Sequence, residues 1–176
     1  MINKEITPGC VYWVTGLSGA GKTTIGTLLY NKIRNNKPNV FILDGDIGRK
    51  TYNDKIGYTR EEREEGAYRN SRVCKMIADQ GIDVVCCTVS MFDGVRDWNR
   101  ENMTFYKEVF LDVPMDVLLV RDQKGLYSNV KSGTGKDVVG LDQDVEFPKN
   151  PDIIIVNDGT TSPEDVVEEI YRNLFK

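Results

Sequence analysis

The sequence predicts an α/β fold, a five-stranded parallel sheet with helices on both faces and a lid loop. Two observations predict it. Short apolar runs alternate with helical patterns along all 176 residues, which is typical of a parallel sheet covered on both faces. A glycine-rich segment that matches a phosphate-binding loop directly follows the first apolar run, as expected of a P-loop NTPase-like fold.

The first three predicted elements are a strand, a helix and a strand. Residues 10–15 form an apolar run that Gly16 ends, which indicates a buried strand. Apolar side chains at helical spacing predict a helix over residues 23–35, and Pro38 follows its end. The next apolar run, residues 40–43, is predicted to be the second strand.

The middle of the chain supplies one long helix, one strand and one short helix. Residues 60–80 are charged at first and then amphipathic, and Gly81 is a suitable stop for a helix. Residues 82–89 are predicted to be the third strand. Residues 94–103 are predicted to form a short helix.

The last part of the chain supplies two strands and two helices. Residues 106–113 are predicted to be the fourth strand, and Pro114 is favoured in the first turn of the helix that follows. Residues 153–156 are predicted to be the fifth strand. The final helix is predicted to start with Ser162 as its N-cap and Pro163 at its first position.

One long segment, residues 122–150, contains several glycines and charges and shows little periodicity. Long irregular segments in compact domains are usually lids or binding loops, so a lid is predicted here. No repeat, low-complexity tract or linker divides the chain. Residues 1–176 are therefore predicted to form a single P-loop domain, with the lid at about residues 122–150.

Composition narrows the possible chemistry. The absence of histidine excludes a Ser-His-Asp triad, a Cys-His pair and histidine metal sites. The four cysteines are interpreted as structural thiols. The net charge of −4 disfavours nucleic acid as a partner, and no apolar run approaches the roughly 20 residues that span a bilayer. In the absence of a signal-peptide pattern, a cytoplasmic location is expected.

The segment Gly16–Thr23 matches the pattern G-x-x-x-x-G-K-[ST] between a predicted strand and a predicted helix. Glycines allow the backbone N–H groups to curl around phosphates, and the positive end of the helix points at the same anion. The residues predicted to bind ATP are Gly16, Ser18, Gly19, Ala20, Gly21, Lys22, Thr23 and Thr24. Lys22 would contact the β- and γ-phosphates, and the Thr23 hydroxyl would bind Mg²⁺.

Two carboxylates, Asp44 and Asp46, follow the second predicted strand and should lie beside the phosphate-binding loop. One of them could hold Mg²⁺ and the other could accept a proton from an attacking hydroxyl. A simple Asp-Gly turn is the alternative interpretation, but the neighbouring phosphate loop favours function.

Four arginines follow this acidic pair: Arg49, Arg60, Arg63 and Arg69. Glutamates lie among them, so one interpretation is a solvated helix face with weak salt bridges. The other is that some of these arginines bind phosphate or sulfate in a bidentate manner. Composition does not distinguish the two.

Four segments together resemble the adenylyl-sulfate kinase family over nearly the whole chain. They are Gly16–Thr23, Leu43–Asp46 with Arg49, Gly57–Thr59 with Arg63, and Asp122-Gln123-Lys124-Gly125-Leu126-Tyr127. The Lys-Gly-Leu-Tyr sequence within the predicted lid is the most specific of these features. The resemblance implies transfer of the γ-phosphoryl group of ATP to the ribose 3′-hydroxyl of adenosine 5′-phosphosulfate. A homodimer is implied by the resemblance alone.

The resemblance also implies roles for single residues. Asp46 would be the catalytic carboxylate near the 3′-hydroxyl, and Asp44 would help Thr23 to hold the metal. Lys124 would reach into the site from the lid and act there with Lys22. The residues expected at the acceptor are Arg49, Arg63, Val89, Ser90, Lys124 and Val138, with both arginines at the phosphosulfate end.

Three departures from the family were assigned to the acceptor side. Gly66 replaces an asparagine that contacts the acceptor, and Val138 replaces a phenylalanine that stacks on its base. Loss of such a ring costs about 1–3 kcal/mol at comparable base-stacking sites. Asp93 stands where the family has an arginine. The donor chemistry is expected to be retained, while the identity of the acceptor stays open.

Three functions are therefore weighed. The leading one is an adenylyl-sulfate kinase with ATP and Mg²⁺. The second is a kinase of the same fold that acts on another nucleotide, such as cytidine diphosphoramidate in capsule synthesis. The third is a non-catalytic ATP-binding regulatory module, and the retention of Asp44, Asp46 and Lys124 argues against it.

Overall fold

The computed structural model describes residues 6–51, 57–122, 125–132, 134, 138–141 and 143–175. The strands are β1 (Cys10–Thr15), β2 (Val40–Asp44), β3 (Asp83–Thr88), β4 (Phe105–Asp112) and β5 (Ile153–Val156). The helices are α1 (Lys22–Asn36), α2 (Gly45–Thr51), α3 (Arg60–Ala78), α4 (Asp93–Asn102), α5 (Met115–Arg121), α6 (Leu126–Lys131) and α7 (Pro163–Leu174).

The strands form one parallel sheet in the order β2-β3-β1-β4-β5. The chain leaves β1 toward one edge and later reaches β4 on the other side of β1. This is a topological switch point, and ligands of open α/β sheets bind beyond the carboxyl ends of the strands at such a point. The sheet order therefore places a binding site at the end of β1.

Two apolar layers cover the sheet, and the alternation of side chains along β1 supplies both of them. Tyr12 and Val14 belong to the layer that contains α1 and α7. Val11 and Trp13 belong to the opposite layer, with residues of α3 and α4. All four side chains are nearly inaccessible to solvent, so β1 is the centre of the core.

The helices are amphipathic. In α7, the residues Val166, Val167 and Ile170 are buried, and the Ser162 hydroxyl accepts the N–H of Asp165 as the predicted N-cap. No helix in the described part of the chain is both long and apolar enough to cross a membrane.

The α/β fold with a five-stranded parallel sheet is confirmed, but two short helices were not predicted. The helix α2 begins directly after Asp44, where no helix was predicted, because Asp44 Oδ1 accepts the N–H groups of Asp46 at 2.9 Å and Ile47 at 3.3 Å. The helix α6 lies inside the predicted lid. With seven and six residues, α2 and α6 are too short for a hydrophobic period to show in the sequence.

Candidate active site

A cleft of about 520 Å³ lies beyond the carboxyl ends of β1, β2 and β3. Its volume is within the range of small-molecule sites. The predicted site residues that line it are Ser18, Gly19, Gly21, Lys22, Thr23, Thr24, Asp44, Asp46, Arg49, Arg63, Val89, Ser90 and Val138. Gly16 and Ala20 belong to the same loop but are buried. Lys124 lies outside the described residues.

The phosphate-binding loop connects β1 to α1 and requires glycine at two positions. Gly19 and Gly21 have φ angles of 81° and 87°, in the left-handed region that residues with a Cβ atom rarely adopt. Gly21 is also the N-cap of α1, and a Cβ atom there would lie 2.9 Å from Asn157 Nδ2. The loop thus presents the amino end of α1 to the cleft, which is where an anion binds.

Side chains from the far end of the sheet hold this loop in place. Asn157, directly after β5, donates from Nδ2 to the carbonyl of Ala20 at 2.9 Å. Arg121 donates to the carbonyls of Gly19 at 3.4 Å and Asn157 at 2.9 Å. Neither Arg121 nor Asn157 was predicted from the sequence. Their positions at the end of a helix and directly after a predicted strand are the only sequence signals that point to them.

Tyr127 connects the loop to the predicted lid. Its hydroxyl donates to the carbonyl of Ser18 at 2.7 Å, and its backbone N–H donates to Asp122 Oδ1 at 2.8 Å. The side chain is 1% exposed, and this burial raises the pKa of Tyr127, which keeps the hydroxyl protonated as a donor. The Lys-Gly-Leu-Tyr sequence therefore ends in a residue that contacts the phosphate-binding loop.

Hard oxygen ligands meet at the start of α1. The Thr23 hydroxyl donates to Asp44 Oδ2 at 2.8 Å, and Lys22 Nζ donates to the carbonyl of Leu17 at 2.7 Å. A hydroxyl and a carboxylate oxygen side by side fit Mg²⁺, which takes one or two protein ligands and completes its shell with phosphates and water. The described residues contain no cluster of three or more acidic, cysteine or histidine ligands. This donor set therefore fits a metal bound together with a nucleotide rather than a permanent metal centre.

The helix α2 brings the second carboxylate and an arginine to the cleft. Asp46 lies in its first turn and is exposed, and Arg49 follows one turn later on the same side. Arg49 Nη1 donates to the carbonyl of Gly57 at 2.6 Å. The guanidinium carbons of Arg49 and Arg63 lie 4.5 and 5.1 Å from the centre of the Tyr58 ring. Two of the predicted acceptor residues thus flank one aromatic side chain.

The start of α3 shows which of the four arginines line the cleft. Thr59 and Glu62 form a capping box that fixes the first turn. Arg60 lines the cleft, forms an ion pair with Glu146, and lies with its guanidinium carbon 5.2 Å from the centre of the Phe92 ring. Arg69 instead pairs with Glu65 on the same helix, at 2.8 Å. Arg49, Arg60 and Arg63 therefore face the cleft, and Arg69 has the surface pairing of the alternative interpretation.

Two of the three departures from the family lie at the cleft, and one does not. Gly66 and Val138 line the cleft. Asp93 instead receives a hydrogen bond from Lys149 at 2.6 Å and forms an ion pair with Arg96. Lys149 and then Arg96 hold the pKa of Asp93 below its usual value. The assignment of Asp93 to the acceptor side is therefore corrected, because its carboxylate joins α4 to the segment before β5.

Comparison with known proteins identifies the family. The family model described as adenylylsulphate kinase matches residues 8–156. The chain belongs to the adenylylsulphate kinase family. As a member of this family, it is a phosphotransferase that acts on a hydroxyl group.

Named relatives of this adenylylsulphate kinase family member differ in their acceptors. The cytidine diphosphoramidate kinase of Campylobacter jejuni is 38% identical over 165 residues, which cover 93% of this chain and 95% of the relative. The adenylyl-sulfate kinase of Clostridium kluyveri is 38% identical over 148 residues, which cover 84% and 74%. The solved structure of the Mycobacterium tuberculosis APS kinase in complex with AMPPNP and APS is 30% identical, with a TM-score of 0.88 over 96% of this chain and 99% of that chain.

Proposed function

We propose that the chain is an ATP-dependent kinase that transfers the γ-phosphoryl group to the ribose 3′-hydroxyl of adenosine 5′-phosphosulfate. The observation that carries this proposal is the shared cleft of the phosphate-binding loop, Asp46 and the two arginines that flank Tyr58. One end of the cleft has the elements that bind a triphosphate. The other end has guanidinium groups suited to a second anion. Asp46 lines the same cleft, so it can accept the proton of a hydroxyl that attacks the triphosphate.

On the donor side, the backbone N–H groups of residues 16–23 and the charge of Lys22 hold the β- and γ-phosphates. Thr23 and Asp44 would hold Mg²⁺, which neutralises charge on the phosphate oxygens when it is bound. Arg121 and Asn157 keep the loop in its curled form through the carbonyls of Gly19 and Ala20. This preorganisation lowers the cost of reaching the charged transition state.

On the acceptor side, Arg49 and Arg63 bind the phosphosulfate end and so direct the ribose toward the donor. Asp46 orients the 3′-hydroxyl and accepts its proton as the oxygen attacks phosphorus. Because the chain has no histidine, a carboxylate is the natural base here. Lys124 is proposed to reach into the site from the lid. Closure of the lid excludes water that would otherwise hydrolyse ATP.

The part of residues 122–150 that closes is proposed to be smaller than the whole segment. Gln143 donates to the carbonyl of Tyr58 at 2.9 Å, and the N–H of Glu146 donates to the carbonyl of Met91 at 3.3 Å. Lys149 binds Asp93. Because these contacts hold residues 143–149 to the segments before α3 and α4, we propose that this part of the predicted lid takes no part in closure.

A second candidate acceptor is cytidine diphosphoramidate. The observation that favours it is the wall of the cleft at Gly66 and Val138, which has no aromatic side chain at either position. A pyrimidine has a smaller ring surface than adenine, so it loses less base–aromatic stacking where the aromatic side chain is missing. The Campylobacter jejuni relative with this acceptor in its name aligns over 93% of the chain.

Steady-state kinetics with the two acceptors test the proposal. The wild-type chain and Lys22→Met, which removes the charge at the phosphates, are assayed with MgATP and each acceptor, and the product is identified by mass. A higher kcat/KM for adenosine 5′-phosphosulfate supports the leading function, and a higher value for cytidine diphosphoramidate selects the second. Binding of MgATP without turnover of either acceptor contradicts both and favours a regulatory module.

We further propose a cytoplasmic homodimer, an expectation that follows from the family resemblance. Light scattering coupled to size-exclusion chromatography measures the mass of the particle directly. A mass near 20 kDa, the value of one 19.9 kDa chain, would contradict the dimer.

A further inference from the structure

Asn70 is a buried polar side chain of α3 that lines the cleft. The residue is 7% exposed, and within the described part of the chain no hydrogen bond joins its amide to a protein group. The amide atoms keep some contact with solvent, and this contact is through the cleft that Asn70 lines. An amide that has no protein partner and is reached from a cleft is suited to a ligand.

Ser90, two residues after the end of β3, is part of the wall of the same cleft. The residue is 4% exposed, and its Oγ is closed off from solvent and has no hydrogen-bond partner in the described structure. The Ser90 hydroxyl is therefore not reached from the cleft, in contrast to the Asn70 amide.

Gly66 lies one turn before Asn70 on α3, and both residues line the cleft. Side chains of an α-helix lean toward its amino end, so the Asn70 side chain leans toward the turn that contains Gly66. A Cβ atom placed on Gly66 would meet no other atom within 4 Å, so the cleft beside this turn is open space.

We propose that Asn70 is a specificity-determining residue that binds the acceptor nucleotide. This assignment rests on the proposed kinase function. An amide has one acceptor oxygen beside a donor NH₂ group, so it fits a ligand group that also has a donor beside an acceptor. Two sources have this chemistry, namely the amino group beside a ring nitrogen in adenine or cytosine and the P–NH₂ end of a phosphoramidate.

The test compares Asn70→Leu with the wild-type chain. Leucine has a similar volume and high helix propensity, but it removes the hydrogen bonds. We expect the KM for the acceptor to rise about tenfold or more, which corresponds to the loss of one or two buried hydrogen bonds. The KM for ATP should change much less than the KM for the acceptor.

Ser71→Ala is the matched control. Ser71 is the next residue of the same helix, is fully buried and also has an unpaired Oγ, but it is not part of the cleft wall. This variant should leave the acceptor KM unchanged. Thermal unfolding of both variants shows whether each is folded. Asn70→Gln, which keeps the amide, should retain more acceptor affinity than Asn70→Leu.

Acceptor analogues show whether Asn70 binds the amino group of the base or the P–NH₂ end of a phosphoramidate. If Asn70 binds the base, the penalty of Asn70→Leu shrinks with purine riboside or 2-pyrimidinone riboside nucleotides, in which the amino group is replaced by hydrogen. If Asn70 binds the terminal group, the penalty disappears with cytidine 5′-diphosphate, which has no amidate. An unchanged acceptor KM in folded Asn70→Leu overturns the assignment and leaves the kinase function intact.

A failure of the kinase function itself has a different signature. In that case the wild-type chain binds MgATP but turns over no acceptor. Calorimetric titration with cytidine and adenosine diphosphate nucleotides then tests Asn70 directly. Equal affinities of the wild-type chain and Asn70→Leu, or no binding to either, overturn the assignment.

Discussion

The Thr23 hydroxyl donates a hydrogen bond to Asp44 Oδ2 at 2.8 Å and thereby joins the first turn of α1 to the end of β2. The other carboxylate oxygen of Asp44 accepts the N–H groups of Asp46 and Ile47. One aspartate thus contacts the hydroxyl proposed to bind Mg²⁺ and fixes the turn that contains the proposed base. This arrangement couples the position of the metal site to the position of Asp46.

Removal of the Thr23 hydroxyl should weaken the response to magnesium. Thr23→Val keeps the shape of the side chain but loses the oxygen ligand, and we expect at least about a tenfold higher Mg²⁺ concentration for half-maximal rate. Thr23→Ser keeps the hydroxyl and serves as the control. The measurement is initial rate against Mg²⁺ at fixed ATP. Identical magnesium curves for the valine and serine variants would exclude Thr23 as a ligand.

Loss of the Asp46 carboxylate should reduce kcat much more than the affinity for ATP. Asparagine cannot accept the proton of the acceptor hydroxyl, so we expect Asp46→Asn to lower kcat by about 10²–10⁴. Asp116→Asn is the control, since Asp116 is an exposed acidic residue in the first turn of another short helix, α5. Near-wild-type kcat in a folded Asp46→Asn enzyme would remove Asp46 from its role as the base.

Two glycines should respond to alanine in opposite ways. At Gly21 the left-handed φ of 87° and the approach of Asn157 both oppose a Cβ atom, so Gly21→Ala should destabilise the fold by about 1–2 kcal/mol and weaken ATP binding. Gly66 lies inside α3 with open space around it, so Gly66→Ala should stabilise the fold by about 0.5–1 kcal/mol. Urea denaturation of both variants measures the change in the free energy of unfolding. If both substitutions changed this free energy in the same direction, the backbone roles assigned to Gly21 and Gly66 would be wrong.

The sequence predicted the elements that have a strong local signal. The five strands were found because each is a short apolar run between turn residues, and the loop at 16–23 was found because its chemistry fixes both the residue types and their spacing. The strand order β2-β3-β1-β4-β5 was not predicted, because it depends on contacts between distant segments. The meeting of Arg121 and Asn157 at the phosphate-binding loop depends on that order and was missed for the same reason.

From the sequence, each residue of the acceptor site was interpreted separately. The structure shows which of these residues lie at the same cleft. Gly66 was interpreted as the loss of a polar contact, whereas in the structure Asn70, one turn later on α3, lines the same cleft. A helical period shows that positions four apart share a face, but it does not show which face meets the cleft. Asp93 follows Ser90 closely in sequence, but α4 begins at Asp93 and the carboxylate pairs with Lys149 and Arg96.

The contacts of Glu146 predict a dependence of stability on acid pH. Glu146 Oε2 accepts the N–H of Asp93 at 2.6 Å, and its other oxygen pairs with Arg60. The Asp93 N–H and then the Arg60 guanidinium hold the pKa of Glu146 below its ordinary value of 4.5. A carboxyl group with a lowered pKa in the folded state stabilises the fold above its ordinary pKa, and that contribution is lost as the pH falls toward the folded value.

We therefore expect the free energy of unfolding of the wild-type chain to fall as the pH is lowered from about 4.5, the ordinary value for this group. Glu146→Gln lacks the titrating group, so it should be less stable than wild type at pH 7 and should lose less stability in acid. The measurement is urea denaturation of both proteins at several pH values between about 3 and 7. Glu101→Gln changes an exposed glutamate in α4 and should follow the wild-type curve. Parallel curves for wild type and Glu146→Gln would show that these contacts contribute nothing to the acid dependence.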